Sequence, residues 1–240
     1  MICYNCFQEK GDSAVCPHCQ YNPNADKSRF PTALPAGITL GKDYILGRVL
    51  GQGGFGITYL AEEDVSYKVV RDGDFISSPW SGVSIEVLSP PEDLIYKGKK
   101  ADVNENSIVL KVTYGETTYL LTGDAETEAE EYLLSTYADI DADILKAGHH
   151  GSSSSSTYAF LKAVTPDVVV ISCGVDNDYG HPHIEPLENF AKFTTADKIF
   201  RTDIDGDVVV TTDGTEYSVA VRNAPHDASK ILISGNGVKV

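Results

Sequence analysis

The chain has 240 residues, 42% of them hydrophobic and 22% charged, with a formal net charge of −16 and a mean hydropathy of −0.16. That length admits one or two domains plus a small module, and the balance is that of a soluble globular protein. The acid excess excludes a broad basic surface for gripping nucleic acid, and no apolar run approaches the ~18 residues that would cross a bilayer.

The opening stretch, MICYNCFQEK, lacks the basic and apolar regions of a secretion signal. Residues 1–24 place Cys3, Cys6, Cys16 and Cys19 as two Cys-x-x-Cys pairs. Each pair can form a tight knuckle that aims two thiolates at one tetrahedral ion, so a structural Zn2+ is expected, with His18 a bystander. This piece resembles the zinc-ribbon modules that precede many bacterial regulatory proteins. Clustered cysteines without a signal point to a reducing, cytoplasmic compartment, and the fifth, Cys173, sits in an apolar strand-like run. Residues 25–39 are rich in Pro, Ala and Ser and read as a linker.

Residues 40–62 supply Gly51, Gly53 and Gly56 in G-x-G-x-x-G spacing, with Phe55 at the loop tip and Ile57 just after it. They resemble the first two strands of a eukaryotic-like Ser/Thr protein kinase, which would make the glycines a weak nucleotide-binding loop. The resemblance then stops. Lys68 lacks the V-A-I-K-like setting, and no H-R-D, D-F-G or A-P-E follows, so nothing would align a γ-phosphate. A functional kinase is excluded, and a solvent-facing hairpin is the simpler reading.

Residues 63–223 change pattern. NSIVLKVTYGETTYLLTGDA reads as a hairpin turning near Gly115 and Glu116, ETEAEEYLLSTY as an amphipathic helix, and ADILKAG as a short buried strand. SSTYAFLKAV is a second helix and DVVVISCG a second buried strand; IEPLENFAKF is helical, KIFRT a strand, and GDVVVTTDGTEYSVAV a closing hairpin around Asp213 and Gly214. Residues 224–240, with ILISGNGVKV, read as a loose tail. The order is α/β, layered in α+β fashion, with helices between strands of mixed sheets.

Polar residues cluster just past those strands: Asp124 ends YLLTGD, His149 and His150 end DILKAGHH, and His181 follows the run through VVVISCG. Singly, each has a bland reading as a turn residue or helix start. Together, three strand ends offering N or O donors suggest one divalent-metal site, Zn2+ or Mn2+.

The segments NENSIVLKVTYGETTYLLTGDAE, DADILKAGHHGSSSSS and PDVVVISCGVDNDYGHP look like the second half of the metallo-β-lactamase-like domain of the DNA internalisation competence (ComEC) family. The resemblance implies metal-dependent hydrolysis of phosphodiesters, with nucleic acid as a candidate substrate. It matches Asp124 to the metal-bridging carboxylate, His181 to the late metal-binding histidine, and His149 and His150 to the His-His-Gly motif, one of which binds metal or steadies the leaving group. It also matches Asn106 and Ser152 to substrate-orienting positions. The family's early His-x-His-x-Asp-His-like motif has no counterpart in residues 1–100. The expected architecture is therefore a partial metallo-β-lactamase αββα sandwich, with a small zinc ribbon and a kinase-like β-hairpin in front. Its exposed sheet would invite self-association. The expected function is a truncated metallo-hydrolase relative of low or no activity; the alternatives are a working one-metal hydrolase and a zinc-ribbon interaction scaffold.

Overall fold

The computed structural model describes residues 3, 5–6, 11, 14–22, 39–40, 44–53, 56–62, 69–221 and 226–237. Phe55, Lys68, most of the linker and the end of the tail lie outside the described residues. The chain divides into two compact units, Met1–Lys68 and Val69–Val240.

In the first unit, β1 (Thr39–Leu40), β2 (Tyr44–Gly53) and β3 (Gly56–Glu62) form an antiparallel sheet in that order. The last pair in the β2–β3 register is Gly53 with Gly56, so the glycine-rich segment is a hairpin with a two-residue connection.

The second unit is built on β4 (Val83–Ser89), β7 (Val109–Tyr114), β8 (Thr117–Leu121), β9 (Ile144–Lys146), β10 (Val168–Ile171) and β11 (Ile199–Arg201), once the small hairpin β5 (Tyr96–Lys97) and β6 (Lys100–Ala101) is set aside. The six run across one sheet in the order β11-β10-β9-β8-β7-β4. β4, β7 and β8 pair antiparallel, whereas β8, β9, β10 and β11 pair parallel. Parallel neighbours need a crossover, and α1 (Thr127–Thr136) and α2 (Tyr158–Val164) supply two of them. A third crossover carries α3 (Ile184–Phe190), while α4 (Thr202–Asp205) follows the last sheet strand.

Strand alternation sorts the side chains between two faces. Leu88, Val109, Leu120, Leu145, Val169 and Ile199 share a core with Ala129 and Leu133 of α1, Phe160, Leu161 and Val164 of α2, and Leu187 and Phe190 of α3. Each fully buried Leu or Phe is worth roughly 1.5–3 kcal/mol relative to exposure. The opposite face is not bare as the sequence suggested. The hairpin of β12 (Val208–Thr212) and β13 (Tyr217–Val221) lays Val208, Val210, Tyr217, Val219 and Val221 over Tyr119, Ile144, Val168, Val170 and Phe200. Further along, Ile108 and Leu121 stay 50% and 38% exposed, so this cover is partial.

The tail also differs from its expected looseness. Helix α5 (Ala228–Ile231) buries Ile231 completely in the main core, and Arg201 donates from Nη1 to the carbonyls of Ile231 and Ile233. Three apolar residues, Ile231 to Ile233, with small polar neighbours were too short a pattern to reveal this docking.

Helix starts rest on side-chain acceptors for otherwise orphan N–H groups. Glu105 Oε2 accepts from Ala129 N at 2.8 Å in the first turn of α1, and the Thr157 hydroxyl accepts from Phe160 N in α2. Glu130, on α1, accepts from the N–H groups of Ser156 and Thr157 and so ties the two helices together. Its burial outweighs those bonds and pushes its carboxyl up to about 7. A raised folded-state value means that the folded chain holds the proton more tightly, so this group's contribution falls as pH rises from the ordinary carboxylate range through 7. Denaturant melts at pH 5 and pH 8 should show this loss in the wild type relative to Glu130→Gln; equal pH dependence in the two proteins would refute it.

Candidate functional site

Three neighbouring parallel strands end side by side. β8 leads through Gly123 to Asp124, β9 leads to a 3-10 turn at Gly148–Gly151, and the loop after β10 carries His181. The second of these is held in an unusual backbone: His149 has φ 42°, His150 φ 58° and Gly151 φ 78°. Consecutive non-glycine residues in the left-handed region cost on the order of 1 kcal/mol or more each and persist where surrounding contacts enforce them. Here His149 N donates to Gly123 O, and the His150 Nδ1–H donates to Ser172 O at 2.6 Å. The twist turns the two rings apart, each toward a different carboxylate.

His150 Nε2 lies 3.2 Å from Asp124 Oδ1, and His149 Nδ1 lies 2.7 Å from Glu126 Oε1. Glu126 was missed at the sequence level, as was its support. Asn104 Nδ2 donates to Glu126 Oε1, and the Lys97 ammonium sits 2.9 Å from Glu126, 3.2 Å from Glu105 and 3.4 Å from Asp102. Burial opposes charge on Glu126, but hydrogen bonds from Lys97 and Asn104 win and hold its carboxyl below the usual range. The same hydrogen bond from Glu126's side holds Lys97 well above the ordinary lysine range. Only sequence separation hid this group, since Lys97 and Glu126 stand 29 positions apart.

His181 is 4% exposed, and its ring lies 5.6 Å from that of His149, 6.5 Å from His150 and 4.7 Å from His183 between centroids. Burial, reinforced by the neighbouring histidines, pushes it down to about 4. Its Nδ1 is buried with no hydrogen-bond partner among the described residues. Tyr179 stacks on the ring at 5.7 Å, and Asn177 brackets the residue by accepting from its N–H and donating to its carbonyl. His183 is locked in turn, with Ser153 N donating to Nδ1 and Nε2 bonded to Tyr179 O.

The two remaining sequence candidates face elsewhere. Asn106 accepts from Ile95 N and donates to the carbonyls of Ile95 and Asp102, pinning the β5–β6 hairpin. Ser152 is buried, and its hydroxyl bonds Ser154. Neither side chain has a hydrogen bond to Asp124 or to the histidines.

Could these residues hold a metal? Among the described residues, the one group of three or more His, Cys, Asp or Glu donors lying within 4.8 Å of one another is Cys3, Cys6, Cys16 and Cys19. Cys3 Sγ and Cys19 Sγ stand 3.6 Å apart, and Cys6 Sγ and Cys16 Sγ 3.8 Å. A tetrahedron with Zn–S bonds of about 2.3 Å has edges near ~3.8 Å, so the cysteines fit Zn2+. A hydrogen bond from the Asn5 side chain draws the Cys19 thiol down to about 6, toward the thiolate a metal needs. The cleft fits less well. Asp124 and His150 offer two donors at contact distance, and His181 offers an unused nitrogen, but the three do not converge as one shell.

The tail packs beneath this loop. Gly235 N donates to Pro182 O at 2.8 Å, and a Cβ on Gly235 would stand 2.4 Å from Gly180 O and 2.6 Å from His181 O. Ser234 and Asn236 join Ser153, His183, Ile184 and Glu185 around a pocket of about 270 Å3.

Residues 100–175 match the model of the metallo-beta-lactamase superfamily. ComE operon protein 3 of Bacillus subtilis is 33% identical over 147 residues, 61% of this chain and 18% of its own length. Competence protein ComA of Neisseria gonorrhoeae is 40% identical over 128 residues, 53% of this chain and 18% of its own. Recombination protein 2 of Haemophilus influenzae is 36% identical over 131 residues, 55% of this chain and 16% of its own. The chain thus spans under a fifth of each of these relatives. The second unit is thus similar to the metallo-beta-lactamase superfamily over residues 100–175 and, over a longer stretch, to proteins named for competence and recombination. Among the described residues, no helix is long and apolar enough to cross a membrane.

Gly235→Ala should disengage the tail from the His181 loop, because the clashing atoms are backbone and cannot swing aside. Hydrogen exchange at residues 226–237 and 177–183 should speed up together; unchanged protection in both segments would show that the tail does not hold the loop.

Proposed function

We propose that the second unit is a metallo-hydrolase relative of phosphodiesterase ancestry that keeps the late half of a metal site and turns substrate over slowly or not at all. The observation that carries this reading is the cleft itself: Asp124 and His150 meet at 3.2 Å beside His181, yet among the described residues no third donor closes a shell. Asp124 and His150 would hold a divalent cation only weakly. When bound, the ion would lower the pKa of its water toward neutrality and so supply hydroxide.

The chain's own residues have separable parts in this scheme. Asp124 and His150 face the cation position, and His181, neutral in its buried setting, stands beside it with an unused Nδ1. His149 has Nδ1 2.7 Å from Glu126 Oε1, and a histidine beside a carboxylate is suited to move a proton at its other nitrogen, Nε2. That assigns the leaving-group part to His149 and the metal part to His150. Asn106 and Ser152 become supports of the surrounding loops. The amino-terminal cysteines hold a structural Zn2+ that stabilises their own module, the glycine-rich hairpin has no catalytic part, and the substrate is a phosphodiester.

Metal content decides between this reading and its competitors. Purified without added metal, the wild type and an Asp124→Ala, His181→Ala double variant should each carry one zinc, lost on Cys16→Ser. Phosphodiesterase activity should be weak and dependent on added metal. Two tightly held ions in the wild type, falling to one in the double variant, with brisk turnover, would establish a working hydrolase instead.

A further inference from the structure

β9 contains a residue that its position does not explain. Lys146 lies in register with Leu121 on one side and Val170 on the other, and Leu121 in turn pairs with Leu110. A lysine in an apolar row of a half-buried strand loses hydration, and such a residue requires compensation. The compensation here is two backbone carbonyls: the ammonium donates to Gly123 O at 3.0 Å and to Ala147 O at 2.8 Å. Those carbonyls belong to the residues that precede Asp124 and Gly148, so the ammonium sits where the two chain segments leave the sheet for the cleft. Burial pulls Lys146 below the ordinary lysine range while the Asp124 carboxylate supports its charge, which places the two groups within electrostatic reach.

The contrast with Lys97 is instructive. Lys97 spends its charge on Asp102, Glu105 and Glu126. The hydrogen-bond partners of Lys146 are neutral carbonyls, and among the described residues no carboxylate lies within the 4 Å of an ion pair with it. Carbonyl dipoles hold an ammonium in place without cancelling it, and two acceptors leave one N–H of three unused. In a chain of net charge −16, a cleft cation with no carboxylate in ion-pair contact is felt only within about one Debye length, ~8 Å at physiological salt, which suits a single bound anion and not a polyanion.

We infer that Lys146 forms an oxyanion subsite of the cleft, donating its free N–H to a non-bridging oxygen of a phosphoryl group. This rests on the cleft being a substrate site, and it names the group that holds the substrate's phosphate where the metal shell is incomplete. No covalent step is involved. The ligand class is a phosphate monoanion or diester, and the subsite would bind it whether or not hydrolysis follows.

The probe is inorganic phosphate, titrated into the full-length protein in metal-free buffer and followed by phosphorus NMR, with dimethyl phosphate as the diester. Lys146→Met should weaken phosphate binding about tenfold or more, the size expected for loss of a charged hydrogen bond, while Lys146→Arg retains most of it. Unchanged binding in Lys146→Met, or no binding by the wild type, would overturn the assignment. Should Lys146→Met fail to fold, acylation of the wild type followed by peptide mass spectrometry gives the answer directly: phosphate should slow modification at Lys146, and an unaltered rate would reject the subsite. The outcomes separate from those of the hydrolase reading. Phosphate bound through Lys146 without any diester turnover defeats only the hydrolase, whereas turnover that survives Lys146→Met with unchanged KM defeats only the subsite.

Discussion

The cleft depends on one constraint, the level parallel pairing of β8, β9 and β10. Leu121, Lys146 and Val170 stand side by side in register, so the three strands release their chains at one height along the sheet. Anything placed one to ten residues beyond those ends must lie on the same rim, whatever its distance in sequence. Parallel pairing requires helical returns, and α1 and α2 fill the core face with Leu133, Phe160 and Leu161 while bringing each new strand back to the same starting edge. A slip of one residue in β9 would exchange Lys146 with Leu145, sending the charge into the helix-packed core and the leucine to the rim. Register, core and cleft chemistry are therefore one specification.

On that rim the charges are sorted into two circuits. One runs from Lys97 through Glu126 to His149, and the other joins Asp124 to His150 with Lys146 close behind. The left-handed backbone at His149 and His150 keeps both on the rim, since adjacent residues in ordinary extended geometry would point to opposite faces. Local strain is thus converted into two differently solvated imidazoles only one residue apart. Burial lowers His150 even against its bond to Ser172, whereas His149 leans on a carboxylate already committed as an anion.

Much of this was legible in the sequence where the signal is periodic or local. The change from alternating to helical spacing marked β7, β8, α1, β9, α2, β10 and α3 in order, and the polar residues after the apolar runs marked Asp124, His149, His150 and His181. What escaped had no local signature. β4 pairs with β7 from the far edge and mixes Ser84 and Glu86 with its valines. Glu126 looked like an ordinary acidic residue at a helix start, and Asn106 looked like a substrate contact although its hydrogen bonds are spent on backbone. The covering role of β12 and β13 was invisible because the sequence shows that a hairpin forms, not which surface it lies on.

The bond from Gly235 to Pro182 has a temporal meaning as well as a spatial one. The six-stranded sheet, α1 to α3 and three of the four rim residues can assemble once residues through β11 have left the ribosome, but the loop bearing His181 lacks its floor until residues 226–237 emerge. The sheet is ready before the site is. A nascent chain of this protein therefore passes through a stage in which the sheet has formed while the place of Ile231 in the core and the floor under His181 are both still empty.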